Sequence, residues 1–155
     1  MVAAGDEVQA GDPIFFDKKR PDIMYAAPVS GEIVEVKRGA KRSIAEVIIL
    51  ADKEIAYKEL EVPSLDTVSR DDLKTFLLQS GAWPMINQRP FDMVADESIV
   101  PRDIFVSTFD TAPLALDYGK VIQGNENAFQ AGVDALSKLT DGDVYLGLDG
   151  RSDQP

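Results

Sequence analysis

The sequence predicts a mixed α+β protein, a small all-β part followed by a partial α/β part. Three observations lead there. Glycine turns recur among short alternating segments up to about residue 61. A capped helical pattern starts at Ser69. From residue 104 an apolar strand, a helix and a second strand follow one another.

At 155 residues the chain can bury one sizeable core or two small ones. Apolar residues make up 45%, a globular composition, and no apolar run approaches the roughly 20 residues that a membrane-spanning helix needs. Acidic residues outnumber basic ones 27 to 16, for a formal charge of −11, which repels phosphate backbones and argues against nucleic-acid binding. The chain has neither Cys nor His. That removes thiolate nucleophiles, iron–sulfur ligation, zinc sites of ordinary type and every Ser-His-Asp arrangement. No metal site is expected, and the acids read as solvated surface rather than as sodium ligands.

In the first part, Gly5-Asp6 and Gly11-Asp12 repeat one turn chemistry: a residue tolerant of positive φ beside one whose side chain bonds nearby backbone. Ile14-Phe15-Phe16 reads as a strand with Pro13 at its start, where a missing N–H is tolerated. Ile23 to Ala26 is the next strand. Glu32 to Lys37 alternates charged and aliphatic residues, as a half-buried strand does, and Ala45 to Leu50 reads as a more buried one beyond the Arg38-Gly39-Ala40 turn. Six or so short strands imply a small sandwich or barrel.

Residues 62–68 lose the alternation and read as a linker, separating a β domain over 1–61 from an α/β domain over 69–155. Ser69 followed by Asp71 and Asp72 caps a helix whose apolar stripe is Leu73, Phe76 and Leu77, and Gly81 stops it. Ala82 to Phe91 holds the only Trp, two prolines and a Phe with no period. Such a loop is either a functional element or a segment pinned to the core by Trp83 and Phe91. Ile104 to Phe109 is apolar throughout, as a strand covered on both faces would be. A helix fits Glu126 to Leu139, capped by Asn125, and Val144 to Leu148 reads as another buried strand, giving a right-handed crossover onto a parallel pair. The loop after Phe109 reads Asp-Thr-Ala-Pro-Leu-Ala, with neither Gly-x-Gly-x-x-Gly nor a Gly-Lys-Ser/Thr element. Backbone cradles for phosphates need such glycines, so no dinucleotide is expected there.

The two Gly-Asp turns, the hairpin and the return Ala27-Pro28-x-Ser30-Gly31-x-Ile33 resemble the barrel-sandwich fold of biotinyl and lipoyl carriers. In those carriers a lysine at the hairpin tip takes the cofactor. Counting from Gly11 puts that position at Pro21, and counting from Ala27-Pro28 puts it at Arg20. Lys18 and Lys19 lie close by but off the position. They read as solvated turn residues and are set aside as carriers of a covalent cofactor.

Further landmarks are Asp17-Lys18-Lys19-x-Pro21, Arg38-Gly39-x-x-Arg42, Leu78-Gln79-Ser80-Gly81-x-Trp83, Arg89-Pro90-Phe91 and Asp110-Thr111-x-Pro113-Leu114-Ala115. In order and spacing they resemble the A subunit of the sodium-translocating NADH:quinone oxidoreductase, a bacterial respiratory sodium pump, with the C subunit of the Rnf electron-transport complex as a relative. The resemblance implies that this chain is an internal piece of a longer protein, with Ser152 to Pro155 as a frayed cut end. It implies a peripheral protein on the cytoplasmic side of the inner membrane, partnered by integral subunits. Its α/β part would be similar to the flavin- and NADH-binding subunit of respiratory complex I. Where Rnf has a glycine-rich loop this chain has Gln79 to Pro84, so a bound flavin is not expected, nor an iron–sulfur cluster. Quinone, as substrate of the complex, would be contacted by Trp83, Ile86 and Phe91 as walls and by Gln88 or Arg89 as polar partner; the open alternative is that Arg89 pairs with an acid.

Overall fold

A computed structural model describes residues 1–150, so the expected frayed end at 152–155 lies outside the described residues. The described chain divides into two compact units. One comprises Met1–Val62 together with Lys74–Asp96; the other comprises Pro63–Leu73 and the residues from Glu97 onward. Compactness therefore groups Lys74–Asp96 with the β strands, a partition different from the division at residues 62–68.

The first unit starts with five strands: β1 (Glu7–Val8), β2 (Pro13–Asp17), β3 (Arg20–Ala26), β4 (Gly31–Arg38) and β5 (Ile44–Ala51). They form an antiparallel sheet in the order β1-β4-β5 and an antiparallel β2-β3 pair. Val8, Ile14, Ala27 and Ile33 are buried together, with Val2, Phe15, Val36, Val47 and Ile49 packed against them. The two aspartates of the Gly-Asp turns act alike, Asp6 accepting the backbone N–H of Ala3 at 2.7 Å and Asp12 that of Gln9 at 2.8 Å. The bond from Gln9, helped by the Lys58 ammonium at 3.2 Å, holds the Asp12 carboxyl below its usual range.

Ser30 and Gly31 show what the Ala-Pro-x-Ser-Gly return does. The buried Ser30 hydroxyl donates to Asp52 at 2.7 Å and accepts the N–H of Ala56 at 2.9 Å. A Cβ on Gly31, at φ +145°, would lie 2.0 Å from the carbonyl oxygen of Leu50, so only glycine lets β4 and β5 approach this closely. The expected burial of β5 is corrected: Leu50 and Ala51 are exposed, and the strand forms an edge of its sheet.

Helix α1 (Arg70–Gln79) starts as expected, with the Ser69 hydroxyl accepting the Asp72 N–H at 3.1 Å. In the second unit, Arg70 donates to the Lys138 and Thr140 carbonyls and pairs with Asp141. The buried Thr140 hydroxyl bonds the Pro101 and Arg102 carbonyls and accepts the Gly142 N–H at 3.0 Å. Strands β8 (Ile104–Ser107) and β9 (Val144–Gly147) pair in parallel, as the strand-helix-strand pattern requires. Asp103, at the entry to β8, is held ionised below the usual carboxylate range by the Arg102 guanidinium and the Asp143 N–H.

Two expectations fail in this unit. Phe105 is 73% exposed, and Tyr145, Leu146 and Leu148 are also open, so the β8-β9 pair is not covered on both faces. A run of apolar side chains specifies a preference for burial; whether a second layer covers it depends on elements far along the chain. Asn125 precedes helix α3 (Glu126–Ser137) but does not cap it with its side chain, which turns back to the Val121 carbonyl of the preceding helix α2 (Tyr118–Ile122). The Glu126 carboxylate instead takes the Gly124 N–H at 2.9 Å, which holds its pKa below the usual value.

Candidate functional site

The stretch after α1, in the first unit, is a built structure rather than a plain loop. Gly81 turns the chain at φ +77°, and a Cβ there would come within 2.6 Å of the Ala26 Cβ, so the backbone rests directly on β3. A 3-10 turn over Trp83–Met85 follows, then a hairpin of β6 (Asn87–Gln88) and β7 (Met93–Val94), with Asn87 opposite Val94 and Gln88 opposite Met93. Strands of two residues carry no readable period, which is why the sequence shows only a loop here. The single Trp and the two prolines were the signal that the segment is ordered.

Trp83 is the anchor. It is 5% exposed, and its indole N–H donates to the Ala95 carbonyl at 2.9 Å. Ile86 is half-buried; its N–H donates to the Trp83 carbonyl at 2.9 Å and its carbonyl accepts the Ala95 N–H at 2.8 Å. Gln88 is exposed and its Oε1 accepts the Asp96 N–H at 3.3 Å. Arg89, joined to Pro90 by a cis bond, has a side chain 80% exposed and pairs with Asp92 at 3.7 Å, while Asp92 also accepts from Asn87. Phe91 is 81% exposed, with the exposed Met85 and Met93 in the same segment. Of the two anchors that pinning would require, Trp83 fills the role and Phe91 does not.

Arg20 makes the long-range contact to this segment that sequence reasoning missed. Its guanidinium donates to the Val94 carbonyl at 3.0 Å and the Ala95 carbonyl at 3.2 Å, with Asp17 at 3.8 Å beside it. Next to it Lys18 and Lys19 form the exposed two-residue turn between β2 and β3, where the Asp17 side chain accepts the Lys19 N–H at 2.8 Å. The one available sequence signal was the count that puts Arg20 where a carrier has its modified lysine.

The hairpin tip offers an aromatic face, thioethers, an amide and a guanidinium to whatever meets it. A separate groove of about 460 Å³ in the first unit is walled by Ile14, Phe15, Pro28, Val29, Val47 and Ile49; none of the five candidate residues lines it. Glu46 is its only charged group, and an ionised carboxylate can only accept a hydrogen bond. A carbonyl ligand would therefore find no side-chain donor there. Among the described residues no group of three or more Asp or Glu side chains is arranged to hold a metal ion.

Residues 1–52 match the family model described as the NqrA N-terminal barrel-sandwich hybrid domain, and residues 68–155 match that of the NqrA second alpha/beta domain. The chain belongs to the NqrA family. It is 40% identical over 150 residues to a Vibrio atlanticus protein, covering 96% of this chain and 34% of that one. It is 39% identical to a Vibrio anguillarum protein, covering 99% and 36%, and 38% identical to an Alcanivorax borkumensis protein, covering 99% and 35%. All three are named as the A subunit of Na(+)-translocating NADH-quinone reductase. The chain thus spans about a third of the length of these NqrA relatives. The family match supports the fold class expected from sequence, a barrel-sandwich hybrid followed by α/β. Among the described residues of this NqrA chain no helix is long and apolar enough to cross a membrane.

Proposed function

We propose that this chain is part of the NqrA component of a redox-driven sodium pump that oxidises NADH and reduces quinone. In this reading it contributes contacts to quinone and to neighbouring subunits rather than holding a flavin or an iron–sulfur cluster. It sits peripherally on the cytoplasmic side of the inner membrane against integral subunits, organised as a β domain over 1–61, a linker over 62–68 and an α/β domain from 69. The likeness of the α/β part to the flavin-binding subunit of respiratory complex I belongs to the same proposal. The names of the relatives favour this over an Rnf-type protein or a carrier module.

The observation that carries the quinone reading is the hairpin tip, where Phe91 and Arg89 are both about four-fifths exposed on a segment whose base is anchored by Trp83. An aromatic ring and aliphatic surface suit a quinone ring and tail, and a guanidinium or amide can donate to its carbonyl oxygen. Phe91 and Ile86 would supply apolar wall and Arg89 or Gln88 the donor; Trp83, nearly all of its surface covered, would act by holding the wall in place. A lone hairpin is one wall of a site, so the opposite wall would come from a partner protein of the complex. Against a flavin or nucleotide in the α/β part stands the loop after β8, where the Asp110 carboxylate already takes the Ala112 N–H at 2.9 Å and would repel a phosphate.

The test is Phe91→Ala and Arg89→Ala in the assembled complex. Each should raise the KM for quinone about fivefold or more, a loss of roughly 1 kcal/mol of binding, with NADH oxidation by an artificial acceptor unchanged. Quinone kinetics indifferent to both variants would remove the assignment.

A further inference from the structure

We propose that Arg20 is the positioning residue for the 86–95 hairpin, and so for the quinone contact argued above, on which this inference rests. The turn that displays a cofactor in carrier domains would here act as a latch. Three observations converge. Arg20 reaches across 74 and 75 residues of sequence to two successive carbonyls, Val94 and Ala95. The Ala95 oxygen also takes the Trp83 indole N–H at 2.9 Å, so its two lone pairs are met by two side chains that enter from different parts of the fold. Asp17, on the other strand of the same β-hairpin, places its carboxylate 3.8 Å from the other terminal nitrogen of the guanidinium.

The hairpin needs such help. Two ladder pairs hold β6 to β7, and a two-stranded ribbon of that size is marginal by itself in water. Gly81 resting on Ala26 fixes where the segment begins, and Arg20 fixes where it returns. Between these points Gln88, Arg89 and Phe91 are presented on a tip whose orientation is set before any ligand arrives, which lowers the ordering cost of binding. Both bonds leave one terminal nitrogen, Nη1, while the other, Nη2, faces Asp17 at 3.8 Å; a planar guanidinium holds the two nitrogens in these directions at once, and a single rotating ammonium cannot serve both sides equally well. Lysine at this position should therefore be an incomplete substitute.

Trp83 is the only tryptophan, so the chain carries its own reporter. In the full chain, Arg20→Ala should red-shift the Trp83 emission and raise its quenching by acrylamide at least about twofold, and Arg20→Lys should lie between. In the assembled complex Arg20→Ala should raise the KM for quinone with kcat little changed, and Arg20→Lys should restore part of the loss. A residue that merely stabilised the fold would lower the amount of active complex and leave KM alone. Emission and quenching unchanged in both variants overturn the latch. A loosened Trp83 with unchanged KM, in a complex where Arg89→Ala and Phe91→Ala do raise it, overturns the positioning role and leaves the quinone reading standing. If none of the four variants moves the KM, the quinone reading itself falls. Should Arg20→Ala fail to fold, Arg20→Lys carries the same comparisons.

Discussion

Phe105 and Tyr145 stand directly opposite each other on the parallel β8-β9 pair, their rings stacked with centroids 5.0 Å apart and planes 14° apart, both open to solvent. Cross-strand aromatic pairs contribute about 0.5–1 kcal/mol beyond the burial of each ring. A double-mutant cycle of Phe105→Ala and Tyr145→Ala, followed by urea unfolding, should return a coupling energy of that size. Simple additivity of the two losses would show that the stacked rings do not stabilise the pair.

Gly81→Ala should cost about 2–3 kcal/mol, since the new Cβ meets the Ala26 Cβ at 2.6 Å and the backbone is in the left-handed region. The loss should be accompanied by a red shift of Trp83 emission, because the 3-10 turn that carries the indole begins next to it. Thermal unfolding monitored by that emission measures both.

Ser30→Ala should cost about 1–3 kcal/mol by leaving the Ala56 N–H and an Asp52 oxygen without their partner. Chemical denaturation would detect it as a lower midpoint with unchanged slope.

Asp12 predicts a pH dependence. Its carboxyl titrates lower in the folded chain than in the unfolded one, so the unfolded state takes up the proton first as pH falls. The stabilisation is complete above the unfolded value near pH 4 and is lost as pH drops through the folded value. Asp12→Ala should lower stability at neutral pH by about 1 kcal/mol and flatten the decline below pH about 4. An unfolding series from about pH 6 to about pH 2 on both proteins tests the sign: curves that stay parallel to the lowest pH would contradict it.

Much of this fold was legible because short-range chemistry decides it. Ser69 caps because its hydroxyl is three residues from the Asp72 N–H, and the Gly-Asp turns close over three residues. The β8-β9 pair follows from an apolar segment on either side of a helix. The candidate residues at 83–91 were legible as a group, by composition, but their arrangement was not. Arg20 finds its acceptors at a separation that no local pattern encodes, and Trp83 reads as a ligand wall until its buried bond to Ala95 is seen. Likewise nothing in Ile104 to Phe109 announces that Phe105 will face solvent.

The chain passes between its two compact units three times, at residues 62/63, 73/74 and 96/97. No single cut can therefore separate them. A β fragment ending in the 62–68 segment would keep Arg20 and lose both carbonyls it holds, and the complementary fragment would carry Trp83 without the strand beneath Gly81. For anyone wishing to transplant the hairpin or display it alone, the smallest faithful piece is discontinuous in sequence. It needs residues 1–62 and 74–96 joined by a designed bridge in place of 63–73.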